Sequence, residues 1–246
     1  MFKYQILLEY DGSKFVGWQV QRKGASVQKT VEKILSKLLK TKIIIYGAGR
    51  TDSGVHAIEQ SAHFDIKKKI ANLNTLIKSL NFFLNKKKIS IKKIKRRNIK
   101  FHARYSAKKR VYLYLIRNNI SPSVINDFKE WHIIKKLDMT LLKEGSKKLV
   151  GTHDYSTFKS SNCNSKSPIK TIFSIKVSKK KNLISIRFIS KSFLKSQVRS
   201  MVGCLKYLAE KKWTLDKFKE VLKSKNRKNC APLAPPHGLY LEKVYY

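Results

Sequence analysis

The sequence contains few of the residues that build disulfide-stabilised or collagen-like proteins. Of its 246 residues, only 3 are cysteine, 5 are proline and 10 are glycine. So little glycine and proline excludes a collagen-like chain. The cysteines, Cys163, Cys204 and Cys230, are odd in number and far apart, so they form neither a disulfide framework nor a pair at zinc-ligand spacing. We therefore expect a reducing, cytoplasmic environment.

Long apolar runs are also missing. No run approaches the ~20 residues needed to span a bilayer, and residues 1–5 lack the cationic-then-apolar layout of a signal peptide. An amphipathic basic helix or a lipidation site, either of which would hold the chain at an anionic membrane surface, is not evident. The sequence therefore predicts no membrane association.

Acidic residues are scarce, since Asp and Glu total 15 against 55 Lys and Arg, which gives a net charge of +40. Such a surplus attracts polyanions, and nucleic acid is the obvious partner because phosphate neutralisation releases counterions. A drifting A/T-rich genome is a competing explanation, because the codons of the abundant Lys, Ile and Asn are A/T-rich. Charge alone leaves both explanations open.

Apolar residues make up 42% of the chain, and 12 Phe, 11 Tyr and 3 Trp are spread along it, which excludes a disordered basic tail. Strands are predicted where apolar residues alternate, and helices where they recur at helical spacing after a capping residue. The predicted strands lie near residues 4–10, 43–45, 64–66, 89–94, 111–116, 173–177, 184–188 and 239–244, and the predicted helices near 26–38, 72–84, 137–150 and 198–208. This order predicts an α+β fold with two similar lobes, residues 1–106 and 107–246, of mostly antiparallel sheet with helices on one face.

The segment 47–54 is dense in glycine and carries Arg50 and Asp52. A dinucleotide-binding fingerprint fails because its third glycine would fall at Asp52. A P-loop fails because Gly54 is followed by Val55-His56 instead of Lys-Ser/Thr. Two interpretations remain open from the residues alone. The loop either presents Asp52 to a bulky ligand, with Arg50 pairing with it or holding a phosphate, or is a structural turn capped by Asp52 and pinned by Arg50.

Other motifs give little support to metal or hydrolase chemistry. The six histidines match no His-Glu-x-x-His spacing, and no cysteine lies at ligand spacing from them, so we expect no metal site. A Gly-x-Ser-x-Gly elbow is absent. Tyr112 and Tyr114 share one face of a predicted strand, where such a pair usually packs in the core. If exposed, a tyrosine could instead stack on a nucleobase, which contributes about 1–3 kcal/mol to binding.

The run Gly-Arg-Thr-Asp-Ser-Gly-Val-His-Ala at residues 49–57 resembles the signature of the TruA-type tRNA pseudouridine synthases. Further segments resemble the same family in the same order along the chain. They are residues 9–13, 17–19, 26–28, 101–107, 112–114, 151–155, 198–203, 234–235 and 238–241. Several ordered, separated matches make a chance resemblance very improbable.

The resemblance implies an enzyme that isomerises uridine to pseudouridine at positions 38, 39 and 40 in the anticodon stem and loop of tRNAs. The N1–C1′ bond breaks, the uracil turns, and C5 bonds to C1′, so the reaction needs no cofactor and no energy source. A cytoplasmic homodimer with tRNA lying across both subunits, and an active-site cleft between the two lobes, are also implied.

Residue roles follow from the matching positions. Asp52 is implied as the nucleophile, which must be ionised to engage ribose C1′ or uracil C6. Arg199 matches the family's active-site arginine and is expected to form an ion pair with Asp52. Arg50 would fill the space of the extruded base or grip the neighbouring phosphate.

Tyr112 matches the active-site tyrosine and would stack on the flipped uracil and help to remove its C5 proton. Arg104 and Arg110 are candidate phosphate contacts. The sequence departs from the family at residues 195–197, which puts the packing under Arg199 in question. A catalytically silent tRNA-binding chaperone is the alternative function. A basic ribosome-associated structural protein would explain the charge but not the ordered motifs.

Overall fold

The computed structural model of this protein describes every residue from 1 to 246. The chain divides into two compact units, residues 1–108 with 240–246 and residues 109–239. In chain order, the strands and helices are β1 (Phe2–Tyr10), α1 (Val27–Leu39), β2 (Tyr46–Gly47), β3 (His56–Ile66), α2 (Leu73–Leu84), β4 (Ile89–Arg97), β5 (Lys109–Asn118), β6 (Trp131–Ile133), α3 (Met139–Lys148), β7 (Gly151–Asp154), β8 (Ile169–Lys180), β9 (Leu183–Ser190), α4 (Gln197–Ala209), α5 (Leu215–Lys223) and β10 (Leu239–Tyr245). The predicted α+β class, with mostly antiparallel strand pairing, is confirmed.

The first unit is built on a sheet with the strand order β4, β1, β3, β10, to which β2 adds by pairing with β3. Ile6 at the centre of β1 lies opposite Ala62 of β3 and Ile94 of β4, both in antiparallel register. All three side chains are buried, which explains the alternation of apolar residues in these strands. Helix α2 packs on β4, and α1 packs on α2.

The last strand groups with the first unit, although the sequence placed it in a second lobe of residues 107–246. Its residue Tyr240 lies opposite His56 of β3, in parallel pairing. Main-chain hydrogen bonds of this kind join segments that are distant in sequence, and alternation within a strand does not reveal its partner.

The strand predicted at residues 43–45 is wrong, because β2 forms only at Tyr46–Gly47. Ile43 and Ile45 are buried as expected, yet side chains of α1 satisfy their main-chain groups. The amide of Ile43 donates to Ser36 Oγ at 2.9 Å, and that of Ile45 donates to Glu32 Oε1 at 2.9 Å. These polar side chains replace the strand partner that an apolar β-branched run usually requires.

The second unit has the strand order β5, β9, β8, β7, with β6 pairing in parallel with β5. In the antiparallel pair of β5 and β9, Tyr112 lies opposite Phe188. In β8 the register shifts between Ile172 and Ser174 and leaves Phe173 exposed, although its alternation with Ser174 in the sequence predicts an apolar, buried face. A bulge of this kind moves a side chain to the other face of the sheet.

Three helices complete the second unit, with α3 packing on α4, α5 and β8. The sequence analysis missed α5, although its signals are ordinary. The Thr214 hydroxyl accepts a hydrogen bond from Lys217 N–H at 3.1 Å and so caps the helix, and Phe218, Val221 and Leu222 form its buried face. Across the whole chain, no helix combines the length and apolar character needed to cross a membrane.

Candidate active site

Asp52 lies half-buried in the loop between β2 and β3, and Arg50 is exposed in the same loop. A tight turn follows Asp52, because the amide of Val55 donates to the Asp52 carbonyl at 3.2 Å. Gly54 adopts a φ of +77° within this turn, a conformation that glycine takes without steric penalty. The Gly-rich segment is therefore a fixed turn that leaves the Asp52 side chain partly accessible.

The segment that follows β1 holds the loop on both sides of Asp52. Before Asp52, the Thr51 carbonyl accepts a hydrogen bond from Trp18 N–H at 3.1 Å, and the Thr51 hydroxyl shares one with the Tyr10 hydroxyl at 2.8 Å. After Asp52, the Ser53 hydroxyl donates to the Phe15 carbonyl at 3.1 Å. Both neighbours of Asp52 are therefore tied to one supporting segment.

Two glycines of that supporting segment allow the close approach. A Cβ atom at Gly12 would lie 2.0 Å from the Val55 carbonyl oxygen, and one at Gly17 would lie 2.7 Å from the Thr51 carbonyl oxygen. Gly17 also has a φ of +115°, which other residues rarely adopt. The sequence matched these glycines to a family pattern but predicted no role for them. The structure shows that they allow the supporting segment to approach the Asp52 loop closely.

His56 is a packed residue at the end of the same loop. Its ring is 1% exposed and stacks on Tyr240 with the ring centroids 4.8 Å apart. Its Nδ1 accepts a hydrogen bond from Gly12 N–H at 3.0 Å. This ring therefore packs inside the protein and holds the end of the loop.

In the second unit, Arg199 lies in the first turn of α4 and is partly exposed. Its Nε donates to the Ala234 carbonyl at 2.8 Å, and the amide of Ala234 donates back to the Arg199 carbonyl at 3.3 Å. The unusual residues before Arg199 are only partly accommodated, because Ser196 adopts a φ of +60° and the buried Nε2 of Gln197 has no hydrogen-bond partner. Gln197 is fully buried, and its Oε1 accepts the amide hydrogen of Leu194 at 2.8 Å at the start of the helix.

Tyr112 and Tyr114 both project from β5 and differ in their surroundings. Tyr112 is 8% exposed, and its ring meets Phe193 edge-on at 5.2 Å. Tyr114 is fully buried, and its hydroxyl donates to the Pro235 carbonyl at 2.8 Å. Burial raises the pKa of Tyr114 well above its usual value, while the nearby charge of Arg199 opposes this shift. Tyr114 therefore supports the segment that holds Arg199.

The two remaining predicted arginines occupy different settings. Arg104 is exposed in the first unit, with its guanidinium 5.6 Å from the centre of the Tyr105 ring. Arg110 belongs to the second unit, is 8% exposed, and donates from its guanidinium to the Lys191 carbonyl. Their contacts to phosphate stay predictions, and the buried position of Arg110 favours a supporting role for that residue.

A group of aromatic rings that the sequence analysis did not identify lies beside Arg104. Tyr46 stacks on His63 with the ring centroids 5.2 Å apart, and the ring centroids of His102 and Tyr105 are 4.3 Å apart. Tyr46 and Tyr105 are exposed, so this ring cluster presents flat faces to solvent. Burial, together with the charges of His102 and Lys3, lowers the pKa of His63 to about 4, and its Nδ1 accepts the amide hydrogen of Ala103 at 3.1 Å.

The structure places Asp52, Arg50 and Arg104 in the first unit and Arg110, Tyr112 and Arg199 in the second. No group of three or more His, Cys, Asp or Glu side chains is arranged to hold a metal ion.

Comparison with known proteins identifies relatives over the full length of the chain. The family described as tRNA pseudouridine synthase matches residues 6–106 and 146–246. Two matching stretches in one chain fit two similar lobes. The tRNA pseudouridine synthase A of Pelagibacter ubique (strain HTCC1062) is 60% identical over 246 residues, covering 100% of both chains. Those of Sinorhizobium fredii (strain NBRC 101917 / NGR234) and Parvibaculum lavamentivorans (strain DS-1) are 42% and 41% identical, again over 100% of both chains.

Proposed function

Since this chain belongs to the tRNA pseudouridine synthase family, we propose that it isomerises uridine to pseudouridine at positions 38, 39 and 40 in the anticodon arm of tRNA. The observation that carries the proposal is the rigid Asp52 turn in a chain that matches named synthases from end to end. The reaction is an isomerisation, so the protein needs to supply only binding, a nucleophile and proton transfer.

Asp52 supplies the nucleophile in this proposal. Its carboxylate adds to ribose C1′ or to uracil C6, the N1–C1′ bond breaks, and the uracil turns within the site. C5 then bonds to C1′, Asp52 is released, C5 loses its proton to a base, and N1 gains a proton. A turn tied at Thr51 and Ser53 supports this role because it holds the main chain of Asp52 in place before substrate arrives.

A uridine stacked in an RNA arm must leave the stack before Asp52 can reach it. Arg50 is suited to the vacated space or to the neighbouring phosphate, since its side chain is exposed two residues before the nucleophile. Tyr112 matches the family's active-site tyrosine, and we propose that the extruded uracil stacks on the part of its ring that stays accessible, since the ring is 8% exposed and packs against Phe193 by an edge contact. Arg199, fixed to Ala234, supplies the positive charge that pairs with Asp52.

The tRNA partner agrees with the charge of the chain. A net charge of +40 attracts a polyanion and accelerates encounter, although it does not select a sequence. Arg104 beside the ring cluster is suited to contact RNA, because exposed rings stack on bases and an arginine binds phosphate. We propose that the enzyme acts on tRNA in the cytoplasm as a homodimer.

Replacing the nucleophile tests the mechanism. We expect Asp52→Asn to abolish pseudouridine formation in an anticodon arm while tRNA affinity is retained, because the amide keeps the shape of the side chain without its nucleophilic charge. Asp216→Asn is the matched control, since that aspartate is exposed on α5 and pairs only with Lys219 in a surface ion pair. Ordinary turnover by Asp52→Asn would refute the assignment. A wild-type protein that binds tRNA without forming product would favour the chaperone function.

Substitution of Tyr112 separates stacking from proton transfer. If its ring only stacks, Tyr112→Phe retains turnover, and Tyr112→Ala loses affinity for the flipped base by about 1–3 kcal/mol. If its hydroxyl removes the C5 proton, Tyr112→Phe loses turnover as strongly as Tyr112→Ala does. Tyr245→Phe, at an exposed tyrosine at the end of β10, controls for the loss of a phenol hydroxyl away from this segment.

A further inference from the structure

Two of the three cysteines lie side by side in the second unit. Cys204 is fully buried on α4, and Cys230 is half-buried on the segment that leads to β10. Their sulfur atoms are 3.4 Å apart and not bonded, so the two thiols form a hydrogen bond. They are 26 positions apart in the sequence, so only folding brings them together.

The two sulfur atoms have different surroundings. Arg227 donates from Nη1 to Cys230 Sγ at 3.0 Å and to Ser200 Oγ at 2.7 Å. Cys204 instead accepts the amide hydrogen of Ala231 at 3.4 Å and lies in the helix interior. A guanidinium beside one sulfur stabilises its thiolate, and burial keeps the other protonated.

The expected ionisation agrees with this arrangement. The hydrogen bond from the Cys204 thiol, helped by the charge of Arg227 and by Ser200, lowers the pKa of Cys230 below its usual value and outweighs the effect of burial. The same hydrogen bond and burial raise the pKa of Cys204. Cys230 is therefore the sulfur of the pair that ionises first, and Cys204 is the one that keeps its proton.

We propose that Cys230 and Cys204 form a peroxide-sensitive site, in which Cys230 is the thiolate that is oxidised and Cys204 is the thiol that closes a disulfide with it. The proposal does not depend on the function assigned above. Partial exposure lets a small oxidant reach Cys230, whereas a pair of inert core thiols would lack both this access and the contact to Arg227.

The chemistry uses hydrogen peroxide as the oxidant. The Cys230 sulfur attacks one peroxide oxygen, an S–O bond forms, the O–O bond breaks, and hydroxide leaves and takes up a proton. The Cys204 sulfur then attacks the sulfenic sulfur of Cys230, giving up its proton as water leaves. Two thiols lose two electrons in total, and one peroxide becomes two molecules of water.

The geometry suits closure of the bond. A disulfide places its sulfur atoms about 2.05 Å apart, so the two atoms must approach by about 1.4 Å. The segment after Cys230 already packs closely against α4. The Pro232 carbonyl oxygen lies only 2.1 Å from the position that a Cβ atom at Gly203 would occupy. The disulfide would tie to α4 the same segment whose Ala234 holds Arg199.

Peptide mapping without reductant tests the site directly. After exposure to hydrogen peroxide, we expect a peptide pair joined through Cys204 and Cys230, two hydrogen atoms lighter than the sum of the free peptides and separated by dithiothreitol. Cys163→Ser is the matched control and should retain the joined pair, whereas Cys230→Ala should lose it. In Cys204→Ala, a dimedone adduct should accumulate on Cys230. A joined pair involving Cys163 instead, or no change at Cys230 after peroxide, overturns the proposal.

Alkylation tests the thiolate without any assay of catalysis. The pH midpoint for reaction of Cys230 with iodoacetamide should lie below the value of ~8.5 typical of a free thiol, and it should move upward in Arg227→Gln. Circular dichroism of each variant confirms that the fold persists. A midpoint at or above the ordinary value in the folded wild-type protein contradicts the assigned ionisation.

Discussion

Gly17→Ala probes how closely the supporting segment must approach the Asp52 loop. The new Cβ would lie 2.7 Å from the Thr51 carbonyl oxygen and 3.3 Å from the Asp52 carbonyl carbon. Ordinary contact begins at 3.4 Å, so the loop must retreat by about 0.7 Å. The φ of +115° adds a backbone penalty of at least about 1–2 kcal/mol.

Gly151→Ala is a matched control, because Gly151 has a φ of +112° and its Cβ would meet only the His153 ring, at 3.3 Å. Both variants should therefore lose stability in urea unfolding through the positive-φ penalty, and Gly17→Ala should lose more because its Cβ also meets main chain. Only Gly17→Ala should also lose kcat, by about a hundredfold, since a shift of about 1 Å in a catalytic group has that effect.

Steady-state pseudouridine formation, measured on fully folded protein with saturating tRNA, gives kcat and so distinguishes a positioning defect from a loss of stability. A kcat for Gly17→Ala equal to that of Gly151→Ala would refute the reasoning that the Gly17 contact places Asp52. A loss of tRNA affinity with unchanged kcat would likewise contradict it, because the predicted defect lies in the geometry of the nucleophile.

Three further predictions concern stability. The pKa of His63 is about 4 in the folded protein and 6.5 in the unfolded chain. Its neutral ring therefore contributes fully to the free energy of unfolding above pH 6.5, and this contribution is lost as the pH falls toward 4. Lowering the pH from about 7.5 to about 5 should reduce the unfolding free energy by about 2 kcal/mol through this residue, and His63→Asn should remove that part of the pH dependence in urea titrations. Ser26→Ala removes the cap of α1 and should lower stability by about 1 kcal/mol in the same assay. Gly203→Ala would force the Pro232 carbonyl aside and should reduce stability by about 3 kcal/mol, visible as a lower Tm.

Local features of the sequence predicted much of the fold. Ser26 and Asn72 cap the helices expected after them, and the alternation in β1 and β9 matches their buried faces. Such signals succeed because capping and alternation act within a few residues. Residues 43–45 show the limit, since the side chains of α1 that hold their amides lie 7 and 13 positions earlier in the sequence, beyond the reach of these local signals.

The sequence by itself determined the family, through an ordered series of motifs, and the resemblance predicts Asp52 as the nucleophile. It could not show what the surrounding glycines do. Only the tertiary structure showed that Gly12 and Gly17 pack against the Asp52 loop. It also showed that the last strand pairs with β3 in the first unit and that Cys204 lies beside Cys230. The physical reason is that these contacts join residues far apart in the chain, and their partners are selected by packing and main-chain hydrogen bonding instead of by local preference.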